Sequence, residues 1–141
     1  MLEIGKRLIV KDKEHIEIEE FDVPKPGPGQ FLVKVTKSQI SAGSEIARFT
    51  QKPGFVPVSD GRYLGYTLAG RILALGDGMD DYKPGDRVIT FGPHGSHWLG
   101  GPVDDTDLVT NLQKIEYGIS DEQACMTRLG DVALLAVRRA E

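Results

Sequence analysis

Cys125 is the only thiol in this 141-residue chain, which excludes an internal disulfide and a thiolate-rich metal site. No apolar run approaches the roughly 20 residues that a membrane-crossing helix needs. The opening stretch MLEIGKRLIVKDKEH is too densely charged for a secretory leader. There is no basic stripe either. The 17 lysines and arginines are scattered among 21 acidic residues, for a net charge of −4, so a surface built to neutralise nucleic-acid phosphates is excluded. Internal repeats and low-complexity tracts are also missing. What is left is ordinary globular composition, 40% hydrophobic and 27% charged, in a chain long enough to bury about two thirds of its unfolded surface. Residues 1–141 are read as one domain, with neither nucleic acid nor membrane as partner and a cytoplasmic setting.

The first two thirds are punctuated like a β protein. RLIVK (Arg7 to Lys11) and HIEIEEF (His15 to Phe21) flank the short polar link DKE, and Ile16 and Ile18 alternate with glutamates as in a strand with one wet face. Pro26-Gly27 and Pro28-Gly29 offer the fixed and positive φ of type II turns, and FLVKVTKS (Phe31 to Ser38) follows as a third strand. From Ile40 to Arg62 breakers recur (Pro53, Gly54, Pro57, Gly61), which predicts a long irregular excursion of the kind that carries function. Strands resume with TLAGRILALG, a Lys83-Pro84-Gly85-Asp86 turn and RVITFG, then a glycine- and histidine-rich loop, PHGSHWLGG. Ser120-Asp121-Glu122-Gln123 is a capping box. After it Ala124, Leu129, Val132, Ala133, Ala136 and Val137 recur at helical spacing. The reading is a mainly β domain closed by one C-terminal helix.

In this order, PGPGQFLVKV, ISAGSE, LGYTLAGRILALG, YKPGDRV and GISDEQACMTRLGDVALLAVRRA resemble the N-terminal half of the medium-chain dehydrogenase/reductases, the zinc-type alcohol dehydrogenase superfamily. YKPGDRV is the most specific of these pieces, and together they span essentially the whole chain. The resemblance implies a GroES-like fold, a distorted β-barrel that forms the substrate-facing catalytic domain. In zinc-dependent relatives the stretch matching LGYTLAG usually reads Gly-His-Glu, and its histidine binds the metal. Tyr66 and Thr67 stand there in this chain, and Ala42 stands where an upstream ligand cysteine belongs, with Ser41 one residue away. Catalytic zinc takes three ligands from Cys, His and carboxylates, so the resemblance is to a zinc-independent branch, with no metal site.

Three residues emerge as catalytic candidates. Tyr66 reads either as a proton donor to a substrate carbonyl or as a filler of the space left by metal and ligands. Thr67 suits a strand entrance and, next to Tyr66, the same site. Ser44 matches a position where relatives carry a proton-relaying hydroxyl, and equally suits a turn in SAGSE. Glu45 matches an acidic position that is usually structural. His94 and His97 are read as an exposed loop pair sharing one face, without a visible third ligand for a metal. Cys125 is read as a small hydrophobe, and Phe91 and Trp98 as core residues or pocket lining.

No G-x-G-x-x-G follows a strand and opens a helix, so no cofactor-binding residue is assigned. NAD(P) is expected only of a full-length relative. Two functions follow from these readings. One is the substrate domain of a zinc-independent NAD(P)-dependent oxidoreductase acting on a carbonyl, alcohol or activated alkene. The other is a stand-alone, non-catalytic GroES-like module or the remnant of a truncated dehydrogenase gene. A small molecule is the expected substrate. The broad apolar helix, with Leu134 and Leu135 beside its stripe, suggests a homodimer.

Overall fold

The computed structural model describes residues 3–55, 62–65, 67–102 and 112–140. Among these residues eight strands and two helices run in the order β1 (Ile4–Asp12), β2 (His15–Asp22), β3 (Phe31–Ser38), α1 (Ser44–Phe49), β4 (Arg62–Tyr63), β5 (Leu68–Leu75), β6 (Arg87–Thr90), β7 (His97–Gly100), β8 (Gln113–Lys114) and α2 (Asp121–Arg138). They form a three-stranded sheet, β2-β1-β4, and a five-stranded sheet, β7-β3-β5-β6-β8, with antiparallel pairing throughout. The sheets are joined where β1 meets the segment before β7: Leu8 N donates to His94 O at 2.9 Å, and Ser96 N to Lys6 O at 2.7 Å. This is the sheet-rich domain with a C-terminal helix that the sequence implied, although among the described residues the strands do not close into a continuous barrel.

The main core lies on one face of the larger sheet. Phe31, Val33, Leu68, Ile72 and Val88 are almost fully buried and pack with Met79 and Leu112. β5 is covered on both faces, because Ala69 points away from that core and packs under Ala124 and Cys125 of α2. That explains the unbroken small-and-apolar run LAG where a half-wet strand would alternate.

Several expectations need correction. β2 has no dry face at its start: Ile16 and Ile18 are 40% and 66% exposed, and among the described residues β2 is an edge strand paired only with β1. The excursion after Ile40 contains α1, whose N-terminus is held by a reciprocal contact. Ser41 N donates to the Glu45 carboxylate at 2.6 Å, and Glu45 N to Ser41 O at 3.2 Å. The breakers downstream concealed it. The PHGSHWLGG segment also contains a strand, β7, which pairs with β3 from Phe31↔Gly100 to Lys34↔His97; its flanking glycines masked the strand formers Trp98 and Leu99. Of the two Pro-Gly pairs near residue 28, only Pro28-Gly29 makes the type II turn, with Gly29 at φ 70° and Gln30 N bonded to Gly27 O at 3.0 Å.

α2 begins as the capping box dictates: Gln123 N donates to Ser120 Oγ at 3.2 Å and Ser120 N to Gln123 Oε1 at 2.9 Å. Asp121 fastens the helix to the sheet, accepting from Thr36 Oγ1 and Arg87 Nη2, both at 2.6 Å. Burial of the Asp121 carboxyl opposes ionisation, but the Thr36 hydrogen bond and the Arg87 guanidinium outweigh it and hold its pKa below the ordinary aspartate value. Beyond Cys125 the helix is largely uncovered, with Leu134, Leu135 and Val137 each about half exposed or more. No helix among the described residues is long and apolar enough to cross a membrane.

Candidate functional site

Thr67 immediately precedes β5, where the chain turns from Leu64 and Gly65 into the central strand. Gly65 is required at this turn. Its φ is +101°, and a Cβ would sit 2.6 Å from the backbone nitrogen of His94. The turn places Thr67 indoors, at 2% exposure, with its carbonyl accepting from Gln39 N at 3.2 Å. Its hydroxyl is buried without a hydrogen-bond partner among the described residues. An orphaned buried hydroxyl is unusual in a native fold and calls for an explanation.

Thr67 lines a cleft between the β5–β6 edge and α2. Ile89, Thr90 and Phe91 form the sheet side, with Gln113 beside them, and Thr127, Arg128 and Asp131 form the helix side. The Arg128 guanidinium lies 3.9 Å over the Phe91 ring, a cation–π stack, and its Nη1 is 3.4 Å from Asp131 Oδ2. Among the described residues the lining carries one positive and one negative side chain alongside three threonines. These groups can offer hydrogen bonds to a polar guest.

Of the three sequence candidates, Thr67 lies in this cleft. Ser44 is the first residue of α1, its Oγ 2.9 Å from Ser41 Oγ, and it is not among the residues lining the cleft. Tyr66 lies outside the described residues. The cleft's helix side was missed by sequence reading. The available signal was the polar pair Arg128 and Asp131, one helical turn apart within an otherwise apolar run.

The histidines depart from expectation. They are three residues apart rather than on a shared face, and both are buried, at 6% and 5% exposure. His94 Nε2 is 3.0 Å from Glu45 Oε1, and its Nδ1 is 2.8 Å from Ser38 Oγ. Burial works to raise the Glu45 pKa, yet the hydrogen bond from His94 and those from the Ser41 and Gly65 amides bring it below the ordinary glutamate value. Glu45 therefore has the structural role its position suggested, tying α1 to the turn before Thr67. His97 Nδ1 meets Ser96 Oγ at 2.9 Å, while Glu3 lies 3.2 Å from Nε2 but out of line for a hydrogen bond. Among the described residues no three His, Cys, Asp or Glu side chains converge as a metal site would require. Cys125 is buried, and burial pushes its thiol pKa up, as suits a packing residue.

Among the described residues, neither helix N-terminus suits a dinucleotide pyrophosphate. The start of α2 is filled by its own capping box and carries Asp121 and Glu122 in the first turn, and six-residue α1 starts with Glu45 in its first turn.

No family model matches the chain. It is 35% identical over 127 residues to a mycocerosic acid synthase-like polyketide synthase of Mycobacterium tuberculosis, covering 86% of this chain and 6% of that protein. It is 33% identical over 146 residues to acryloyl-coenzyme A reductase of Metallosphaera sedula, covering 86% of this chain and 43% of the reductase. Its fold superposes on 2R,3R-butanediol dehydrogenase from Bacillus subtilis with a TM-score of 0.76 at 24% identity, over 95% of this chain and 47% of that one. For Escherichia coli quinone oxidoreductase complexed with NADPH the TM-score is 0.64 at 20% identity, over 86% and 36%. The chain thus spans less than half the length of each of these proteins.

Proposed function

Because this chain is a GroES-like domain of the medium-chain dehydrogenase/reductase superfamily, we propose that it forms the substrate-facing part of a zinc-independent, NAD(P)-dependent oxidoreductase acting in the cytoplasm. The substrate is a small carbonyl compound, its alcohol, or an activated alkene. The observation that carries this reading is the cleft between β5–β6 and α2, with the orphaned Thr67 hydroxyl among its lining groups.

The described residues do not fit a dinucleotide, since the helix N-termini among them are self-capped or acidic, so this reading assigns the cofactor to another part of the enzyme. A bound nicotinamide would supply or accept hydride; the work of this domain is to bind and orient the reacting group. Zinc independence is supported by Ala42, Tyr66 and Thr67 at the ligand-matching places, which offer no ligand of the kind catalytic zinc takes. Self-association through the uncovered end of α2 belongs to the same reading.

A chimera tests the proposal. This chain is joined after α2 to the cofactor-binding part of the E. coli quinone oxidoreductase and assayed for NADPH oxidation with a panel of ketones and enoyl thioesters. Turnover that survives exhaustive chelation, in protein free of zinc by elemental analysis, is the expected result. A folded chimera that binds NADPH yet reduces nothing, or that loses activity with its zinc, overturns the reading.

A further inference from the structure

We infer that Ser38 is a nucleophile, activated by His94 and Glu45, that takes an acyl group from a small activated ester. Ser38 is not among the residues lining the cleft under α2, and the inference does not depend on the oxidoreductase reading.

Three separate parts of the chain supply the site. Ser38 closes β3, His94 lies ahead of β7, and Glu45 is in the first turn of α1. Ser38 Oγ is 2.8 Å from His94 Nδ1, and His94 Nε2 is 3.0 Å from Glu45 Oε1. A hydroxyl, an imidazole and a carboxylate joined in this order are the parts of an acyl-transfer triad, which is defined by geometry and not by chain order. The backbone holds the imidazole in place from both sides: His94 N donates to Leu64 O and Leu8 N donates to His94 O, each at 2.9 Å.

The protons follow from the partners. Glu45 Oε2 accepts from Ser41 N at 2.6 Å, and the Gly65 amide also donates to this carboxyl, which is held in its ionised, acceptor-only form. His94 Nε2 must then carry the proton of its contact with Glu45. In the neutral ring Nδ1 is therefore the bare nitrogen, and the Ser38 hydroxyl donates to it. Burial separates the roles. His94 and Glu45 are buried while Ser38 is exposed, so an ester can reach the hydroxyl while the base behind it stays dry.

In the reaction Ser38 Oγ adds to the acyl carbon as its proton passes to His94 Nδ1. The bond from that carbon to the leaving oxygen or sulfur breaks, and the leaving group takes the proton from Nδ1. Water then cleaves the acyl-serine, giving its hydroxyl to the acyl carbon and a proton to Nδ1, while Ser38 Oγ departs and recovers that proton. The products are an alcohol or thiol and a carboxylic acid. Acylation leans on this one base, so the ester must bring a leaving group as stable as a phenolate or thiolate.

The probe is p-nitrophenyl acetate, mixed with the full chain and quenched in acid. A stoichiometric burst of p-nitrophenolate is expected, with the acetyl group located on Ser38 by fragment-ion mass spectrometry. Ser41 and Ser44, whose hydroxyls meet each other at 2.9 Å, serve as comparison and should be acetylated at least about 100-fold more slowly, the usual worth of a positioned base. Ser38→Ala should abolish the burst. His94→Gln, which can still donate to Glu45 but offers Ser38 no base, should slow it by at least about 100-fold. Glu45→Gln frees the ring to take its other tautomer, and should slow it at least about tenfold in protein that is still folded by circular dichroism. Four results each overturn the inference: no acetyl group on Ser38, a burst that survives in Ser38→Ala, or a wild-type rate in His94→Gln or in folded Glu45→Gln. Should His94→Gln or Glu45→Gln fail to fold, Ser38→Ala at its exposed position and the acetyl distribution over Ser38, Ser41 and Ser44 still decide.

Discussion

Replacing Asp121 by asparagine isolates the tie between α2 and the sheet. In the native fold Asp121 Oδ1 lies 2.6 Å from Arg87 Nη2 and 3.1 Å from its Nε, and Oδ2 takes a 2.6 Å bond from Thr36 Oγ1. An asparagine amide can keep the second contact by donating to Thr36, whose own proton can turn to Ala69 O, 3.1 Å away. The Arg87 contact loses its charge. The Asp121 and Arg87 side chains are only 17% and 27% exposed, so solvent screening removes little, and a charge-assisted bond of this kind contributes about 1.5–3 kcal/mol. Arg87 retains Ile119 O as a partner at 2.6 Å, which places the expected loss near the lower end, about 1.5–2 kcal/mol, or a fall in Tm of roughly 5–8 °C. Asp121→Ala, which removes both the Arg87 and the Thr36 contact, should lose more.

The sign with pH follows from the depressed pKa of Asp121. Its stabilisation is fully present above the ordinary aspartate value and is lost as pH falls through the lower, folded one. The gap between wild type and Asp121→Asn should therefore be widest near pH 6 and close toward pH 3, measured by thermal and urea unfolding across that range. Glu45, Asp86 and Glu122 are also depressed, so both proteins weaken in acid, and only the difference reports on Asp121. A gap that is absent at pH 6, or that does not narrow in acid, refutes the reasoning.

Gly65→Ala should destabilise the fold by at least about 2 kcal/mol, because an L-residue at φ +101° is strained and its Cβ meets the His94 backbone; a urea midpoint unchanged from wild type would contradict this. Glu45→Gln turns an NH2 group toward at least one of three hydrogen-bond donors, His94 Nε2–H or the Ser41 and Gly65 amides. The expected cost is about 2–3 kcal/mol at pH 7, with faster amide exchange at Gly65 and Leu68, and exchange rates like those of wild type would exclude Glu45 as the tie. The apparent mass of the protein in light scattering should rise with concentration, and Leu135→Glu should hold it at the monomer value, since Leu134, Leu135 and Val137 are uncovered. A wild type that stays monomeric throughout would remove self-association from the proposed function.

The sequence by itself settled whatever depends on near neighbours in the chain. The Ser120–Gln123 capping box spans four residues and starts α2 where it was expected, and Lys83-Pro84-Gly85-Asp86 makes its turn, with Gly85 at φ 92°. The ordered motifs across the chain named the domain, and β3 runs from Phe31 to Ser38 as its pattern required. What escaped depended on distant partners. Nothing in HIEIEEF reveals that β2 lies at a sheet edge with Ile18 uncovered, because alternation records two faces and not what packs on them. His94 and Glu45 are 49 residues apart and meet only after β1 has joined the two sheets. Thr67 was a candidate from its position alone. Its unpaired hydroxyl and its cleft shared with Arg128 and Asp131 exist only once α2 docks on β5 through Ala69, Ala124 and Cys125. Local chain stereochemistry is written residue by residue, whereas burial and charge balance at a site are set by which surfaces the folded chain brings together.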